Sequence, residues 1–401
     1  MQQDYAIIRL VGPTPSKSYM SLLTEGTILG RIDRDMEQPQ AVIDSEKLSD
    51  KDAESLKRDP AVLSVAPVFP TRLIEPVTRS SATTAGNIAW GVEAVEANQS
   101  TCNGSGVKVA VLDTGIDDGH AAFQGINITQ QDFSGSGNGD TNGHGTHCAG
   151  TIFGRDVNGT RIGVAPGVTE VYIGKVLNNR GSGDTVMLMR GLQWAIDNCV
   201  DVVSMSLGFD FPGMVNNWVK YQGVPVDLAT SKALESYRHT LRAFDSLMNY
   251  LGARAAFGSN AIVVAAAGNE NHPSRFNAFE ISVSLPAGAE NVLSVGALEK
   301  TPAGLRVASF SNSLPRLSAP GVDILSAAAG GGLASMTGTS MACPHVAGVT
   351  ALWWDYVRQT GTSSHLSSQQ VFAKVQASAS VQNIVSGADP ADYGLGCVNA
   401  P

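Results

Sequence analysis

Several absences in this chain each exclude a fate. No run of eighteen apolar residues occurs in its 401 positions, so no membrane-spanning helix is expected. Positive charge is in the minority, 27 Lys and Arg against 36 Asp and Glu. The formal net charge of -9 argues against nucleic acid or an anionic membrane as partner. Cysteine is scarce and odd in number, five in all with no C-x-x-C pair. That excludes a disulfide scaffold and a structural zinc site, and it leaves at least one thiol free. The opening, MQQDYAIIRL, has no basic region followed by a long apolar stretch, so no signal peptide is visible. Internal repeats are absent too. Glycine is plentiful by contrast: 43 scattered residues predict tight turns and close backbone approaches rather than disorder.

What remains reads as two parts joined by a linker. Residues 4–12 alternate like a strand, and 26–44 read as two more strands around the polar RDMEQPQ. SDKDAESLKRD, 49–59, reads as a short helix capped by Ser49 or Asp50, and AVLSVAPVF returns to strand. This small α+β unit spans 1–75. Residues 76–89, polar and small with Pro and Gly, read as a linker. From 90 to 401 the texture changes. Apolar runs at 107–112, 171–177, 201–207, 261–267 and 291–297 alternate with helical patterns at 144–153, 184–198, 227–252 and 345–358. Strands that are apolar throughout and alternate with helices predict an α/β fold, a parallel sheet covered by helices on both faces. Chemistry in such folds gathers at the carboxyl ends of the strands.

Three stretches sit at such places. VLDTGID, 111–117, closes a strand on Asp113. By itself this is an ordinary turn aspartate; partly buried, it could orient an imidazole. NGHGTHCAG, 142–150, flanks His144 with glycines that clear space around its ring, while His147 reads as a packing or hydrogen-bonding residue. GTSMACPHVAG, 338–348, puts Ser340 at a helix start. An N-cap serine is the plain reading, but a hydroxyl there also stands in the positive field of unpaired N–H groups. Pro344 is expected within the first turn. Asp, His and Ser are the parts of an acyl-transfer triad: carboxylate to orient, imidazole to move the proton, hydroxyl to attack. AAAGNE, 265–270, adds Asn269 just past a buried strand, where its amide could stabilise an oxyanion.

With these motifs in the order Asp…His…Ser, the chain resembles the subtilisin-like serine peptidases. GVAP at 163–166, GSG at 181–183, SMSLG at 204–208, ASFSN at 308–312 and APGVDILSA at 319–327 add to the likeness. An α/β-hydrolase would need G-x-S-x-G, which does not occur. HGTHCAG, with its cysteine, is most similar to the proteinase K-like and related branches. The resemblance implies a subtilisin-like sheet preceded by a ferredoxin-like propeptide domain. It implies Asp113 as orienting acid, His144 as base and acid, Ser340 as nucleophile, and Asn269 with the Ser340 N–H as oxyanion hole. Gly181, Ser182 and Gly183, with Ser206, Leu207 and Gly208, are implied as edge strands pairing with substrate backbone. Leu207, Gly208, Ala266, Ala267 and Gly268 would line the primary pocket, with Ser284 near its base. Small neutral walls suggest apolar or aromatic residues there.

The implied protein is a self-processed zymogen acting on protein or peptide substrates. Its own N-terminal unit, LKRDPAVLSVAPVF above all, would be the intramolecular inhibitor, with the cut between about Arg72 and Gly86. A monomer is expected. Secretion is expected with a leader removed, and an intracellular processing protease or a catalytically silent scaffold is the alternative. No cofactor is expected for the chemistry. Ala122 stands where many relatives hold a calcium-binding aspartate, and GRDVNGTRIG lacks the usual loop pattern. The family's usual calcium site is therefore not expected, and any other structural calcium is left open. Clusters such as SGNGD, 136–140, read as solvated loops. Cys148 and Cys343 should lie near His144 and Ser340, and a Cys102–Cys397 bridge is left open. An insertion at about 209–258 repeats Leu234, Tyr237, Leu241, Phe244 and Met248 at helical spacing, which predicts an excursion packing on itself.

Overall fold

The computed structural model describes residues 2–12, 40–81, 86–254, 261–271, 280–361 and 367–401. Strands are numbered along the chain. The N-terminal unit is an antiparallel sheet of β1 (Gln2–Val11), β2 (Gln40–Ser49) and β3 (Val62–Pro67) in the order β2-β1-β3. The part of the expected strand pair at 26–39 lies outside the described residues. Strand alternation splits β1 between two cores. Tyr5 and Ile7 meet Ala53 of the helix Asp50–Leu56, while Ala6, Ile8 and Leu10 turn to the main body. Ser49 caps that helix, its hydroxyl accepting from the Asp52 N–H at 3.2 Å.

Two strands then run on through the body: β4 (Pro70–Leu73) and β5 (Thr78–Ser81). The body itself is built on β6 (Lys108–Asp113), β7 (Asn127–Asp132), β8 (Glu170–Lys175), β10 (Val202–Met205), β12 (Ile262–Ala266) and β13 (Val292–Thr301), all parallel. β14 (Gly304–Val307) joins antiparallel and β15 (Leu317–Pro320) pairs parallel to β13, giving the order β14-β13-β12-β10-β6-β8-β7. Apolar runs without alternation are explained by the two cores. Val109, Val111, Val264 and Ala266 bury against one face; Ala110, Leu112, Val263 and Ala265 bury against the other. The helices His144–Phe153 and Thr339–Thr360 cover the first face, and Thr185–Asp197 with Val226–Arg254 the second. Each valine or leucine so buried contributes roughly 1.5–3 kcal/mol, which makes this sheet a rigid frame for loops at its carboxyl end.

Three expectations are corrected. The last large helix begins at Thr339, not 345, so Pro344 lies in its second turn. Proline has no N–H to offer the carbonyl four residues back. The freed Ser340 carbonyl is taken by the Ser206 hydroxyl at 3.0 Å and the Cys148 thiol at 3.4 Å. The linker is not slack either. Thr78–Ser81 pairs antiparallel with β17 (Leu333–Thr337), itself paired to β16 (Ile324–Ala327), and residues 82–85 lie outside those described. The insertion forms the helices Phe211–Gln222 and Val226–Arg254. Phe244 and Met248 are buried and Tyr237 and Leu241 half-buried, but Leu234 is 64% exposed. Rather than packing only on itself, the insertion shares a core with the N-terminal unit, and the Tyr250 hydroxyl accepts from the Ala41 N–H at 3.1 Å.

Candidate active site

β6 delivers Asp113 to the carboxyl end of the sheet, where Gly115 turns the chain at φ +111°. A Cβ on Gly115 would stand 2.2 Å from the Gly139 carbonyl oxygen, so only glycine fits. Gly145 is needed for the converse reason: a Cβ there would meet the Gly115 oxygen at 2.2 Å and the Asp113 Cβ at 3.2 Å. The first turn of the helix His144–Phe153 thereby lies directly against the strand end. Asp113 Oδ1 accepts from the Thr114 N–H at 2.7 Å and from His144 Nδ1 at 2.8 Å. That contact assigns the proton to Nδ1. His144 Nε2 and Asp113 Oδ2 are both buried without a hydrogen-bond partner.

Ser340, second residue of its helix, is fully buried. Its hydroxyl donates to the Ile74 carbonyl at 3.0 Å, with the Ser206 carbonyl at 3.4 Å. Ser340 is therefore not hydrogen-bonded to His144. Cys148 touches both sides, its sulfur 3.8 Å from His144 Nδ1 and 3.4 Å from the Ser340 carbonyl. Asn269 follows β12 by three residues. Its Oδ1 accepts from the Thr339 N–H at 2.8 Å and hydroxyl at 2.9 Å, which aims Nδ2 into the cleft. Nδ2 donates to the Glu75 carbonyl at 2.9 Å. Successive carbonyls, those of Ile74 and Glu75, are thus shared between Ser340 and Asn269.

The carbonyls belong to the chain's own N-terminal segment. β4 lies antiparallel between β9 (Ser182–Asp184) and β11 (Leu207–Gly208), with Thr71 opposite Gly183 and Arg72 opposite both Ser182 and Gly208. Leu73 N–H reaches the Gly181 carbonyl at 2.8 Å. Ile74 is buried next to Gly208, whose missing Cβ would be 3.5 Å from its Cγ1 and 3.1 Å from the Ser284 hydroxyl. Ala266 and Ala267, just before Gly268 in sequence, are buried, and the Ser284 N–H bonds the Ala267 carbonyl at 2.9 Å. Gly268, at φ +117°, donates to the Thr339 hydroxyl at 3.2 Å. Downstream, the Val77 N–H donates to the Thr337 carbonyl at 2.7 Å.

Asp140, at the end of the stretch expected to be a solvated loop, is not solvated. It is buried, and its carboxylate accepts from the Thr114 hydroxyl, the N–H groups of Asn142, Gly143 and Thr146, and the Thr146 hydroxyl, at 2.7–3.1 Å. Burial pushes this carboxyl up, but the bonds from Thr146, Gly143 and Thr114 outweigh it and hold it below the usual range. Asp140 thereby ties the Asp113 loop to the His144 loop. Its position four residues before His144 was the only available signal. Lys175, also buried, has its pKa lowered by burial and donates to the Thr114 and Gly139 carbonyls.

No calcium fits at the loop after the His144 helix. Ala122 presents a buried methyl, and the Arg155 guanidinium donates to the carbonyls of Phe153, Pro166 and Val168. All five cysteines are free, which removes the Cys102–Cys397 bridge. Burial pushes the Cys148 thiol well up and Cys343 to about 11. Cys343 lies under the sheet ends, with its sulfur 3.5 Å from the Ser204 hydroxyl.

His147 donates from Nε2 to the Ile324 and Ala334 carbonyls at 3.0 and 3.2 Å, fastening its helix to the β16–β17 hairpin. Burial pushes its pKa down to about 3, and that of His345 to about 4. Both stay neutral when folded, while an unfolded histidine takes a proton below about pH 6.5. Their contribution to stability is complete above that pH and is lost as pH falls towards 4. The expected slope is about 1.4 kcal/mol per pH unit for each. Urea unfolding at pH 7, 6 and 5 measures it. His147→Gln should flatten the slope by about one proton, and an unchanged slope contradicts the assignment.

Among the described residues no helix is long and apolar enough to cross a membrane. The profile of the subtilase family (Peptidase_S8) matches residues 104–396. The chain is 32% identical over 368 residues to M-protease of Shouchella clausii, covering 89% of this chain and 77% of that protein. It is 33% identical over 273 residues to subtilisin DY of Bacillus licheniformis, covering 67% and 85%. Against the major intracellular serine protease of Bacillus subtilis it is 30% identical over 315 residues, covering 76% and 86%. The chain belongs to the subtilase family and is a subtilisin-like serine endopeptidase.

Proposed function

We propose that Asp113, His144 and Ser340 form the catalytic triad, that Asn269 and the Ser340 N–H form the oxyanion hole, and that the N-terminal unit, up to Ile74, is an inhibitory propeptide. One observation carries this reading. A backbone strand of the chain itself, threaded between two edge strands, brings the Ile74 carbonyl to 3.0 Å from the Ser340 hydroxyl, beside an Asp113–His144 pair at 2.8 Å.

In this arrangement the Ser340 hydroxyl spends its hydrogen bond on the Ile74 carbonyl instead of on His144 Nε2, which accounts for the orphaned Nε2. When the hydroxyl rotates to Nε2, the imidazole accepts its proton and Oγ attacks the carbonyl carbon of the residue held beside Gly208. The C–N bond breaks as the imidazolium returns that proton to the leaving amine, and water repeats the cycle on the acyl-enzyme. Asp113 holds the Nδ1–H tautomer and balances the imidazolium charge. Asn269 and the helix N-terminus meet the oxyanion. Subtilases need no cofactor for this chemistry.

In the uncut chain the hydroxyl and the Asn269 amide engage two successive carbonyls, so neither is both attacked and stabilised. The segment then blocks the cleft, and processing waits until the Asn269 amide exchanges the Glu75 carbonyl for that of Ile74. The bond cut is Ile74–Glu75, since Ile74 occupies the neutral pocket of Gly208 and Ser284 and its carbonyl faces the nucleophile. Apolar or aromatic residues are preferred at this position. Secretion remains the favoured location, because a self-blocked protease tolerates passage through a membrane before acting.

Mass spectrometry of the purified chain over time tests this reading. The expected product begins at Glu75, and Ser340→Ala should stay full length. Cleavage of that variant at the same bond, or processing of the unaltered chain at a bond other than Ile74–Glu75, would overturn it. Asn269→Ala should lower kcat roughly 10²–10³-fold with little change in KM. Steady-state kinetics on one peptide substrate checks this, and a loss confined to KM would count against the oxyanion role.

A further inference from the structure

We propose that Asp210, at the root of the insertion, is a specificity determinant that selects a basic residue two positions before the cleaved residue. The proposal rests on the reading above, in which Pro70–Ile74 lies as a substrate would. Arg72 stands opposite Ser182 on one side and Gly208 on the other. Its side chain leaves the cleft and ion-pairs through Nη2 with Asp210 Oδ2. Arg72 is the only cation paired with Asp210 among the described residues.

The carboxylate is not a loose surface charge. Asp210 caps the helix Phe211–Gln222, its Oδ1 accepting from the Gly213 N–H at 2.9 Å. One oxygen is fixed by the cap and the other points at the guanidinium. Asp210 follows β11 by two residues, so the strand that sets the peptide register also sets the carboxylate. Register is pinned further upstream. The Phe69 N–H and carbonyl bond the Thr185 hydroxyl and N–H, each at 2.9 Å, and the Phe69 ring lies 6.0 Å from Phe211. Phe211 is held in turn by Phe209 at 5.9 Å and Tyr237 at 5.3 Å. All of these partners stay with the enzyme when the N-terminal unit leaves. An incoming peptide with Arg in that register meets the same carboxylate; one with Glu meets a like charge. The Arg72 side chain is 57% exposed and that of Asp210 21%, so the preference is a few-fold and screened by salt.

The test compares internally quenched peptides of the sequence around 69–77 with Arg, Gln or Glu at the position of Arg72. The self-processed enzyme should cleave the Arg peptide about fivefold faster than Gln in kcat/KM, with Glu slower still. The Arg-to-Glu ratio should shrink in 1 M salt. It should approach one in Asp210→Asn, which keeps an equally good helix cap, and invert in Asp210→Lys. Reading a ratio within each enzyme form cancels any general loss of activity. A ratio within twofold in the unaltered enzyme, or one unchanged in Asp210→Asn, overturns the proposal. Failure to cleave any of the peptides would count against the triad reading instead. In that case the same contact is read in the full Ser340→Ala chain by hydrogen exchange at 70–74. Arg72→Glu should speed exchange and Arg72→Glu with Asp210→Lys should restore protection; no restoration overturns the proposal.

Discussion

Ser340→Ala is expected to lower turnover about 10⁶-fold, a magnitude carried over from the triad of a subtilisin. The size follows from the layout. In the proposed mechanism Ser340 forms the acyl intermediate. The nearby thiols cannot replace it: Cys148 is buried with its pKa pushed well up, and Cys343 lies below the strand ends bonded to Met205 and Val264 carbonyls. A neutral, buried thiol is a poor nucleophile. Burst and steady-state kinetics on a chromogenic peptide, with the variant's unfolding transition recorded beside them, separate lost chemistry from lost fold. Because triad members act as a unit, adding His144→Ala to Ser340→Ala should cost little more. Residual activity within a hundredfold of the unaltered chain contradicts the role of Ser340.

The second large effect is expected from Asp113→Asn. Asp113 Oδ1 accepts two bonds, from the Thr114 N–H and His144 Nδ1. An amide cannot balance the imidazolium charge, and where its NH₂ turns to the ring, giving up the Thr114 N–H bond, it forces the proton to Nε2. That nitrogen, now bearing hydrogen, cannot accept from Ser340. The expected loss in kcat is about 10⁴-fold, the size this tautomer error carries in a serine protease triad. The surrounding geometry should survive, because Asp140 and not Asp113 fastens the two loops together. Kinetics at pH 7 on the folded variant checks the prediction, and a loss below tenfold contradicts it.

The site was legible where local chemistry announced it. Asp113 closes an apolar strand, glycines surround His144, and Ser340 stands at a helix start, so each stretch carried its own signal. Helix bounds read at 144–153, 184–198 and 227–252 fall within two residues of the structure. What could not be read depends on partners distant in sequence. Thr78–Ser81 looks like linker because its pairing strand, Ala334–Thr337, comes about 250 residues later. Asn127–Asp132, NITQQD, carries little apolar signal, since the edge strand it forms is half exposed. Asp140 resembles any loop aspartate until Thr114 and Thr146 arrive around it. Pro344 misled differently: it marks the freed Ser340 carbonyl rather than the helix start. The insertion's apolar repeat showed a buried face without showing that the N-terminal unit would share it.

The most direct test is to treat the self-processed chain with a fluorophosphonate and map the adduct by tandem mass spectrometry. One adduct is expected, on Ser340, forming at a rate that collapses in Asp113→Asn and is negligible while residues 70–75 still fill the cleft. Labelling of another residue, or no labelling of a folded chain from which the N-terminal unit has gone, would contradict that expectation.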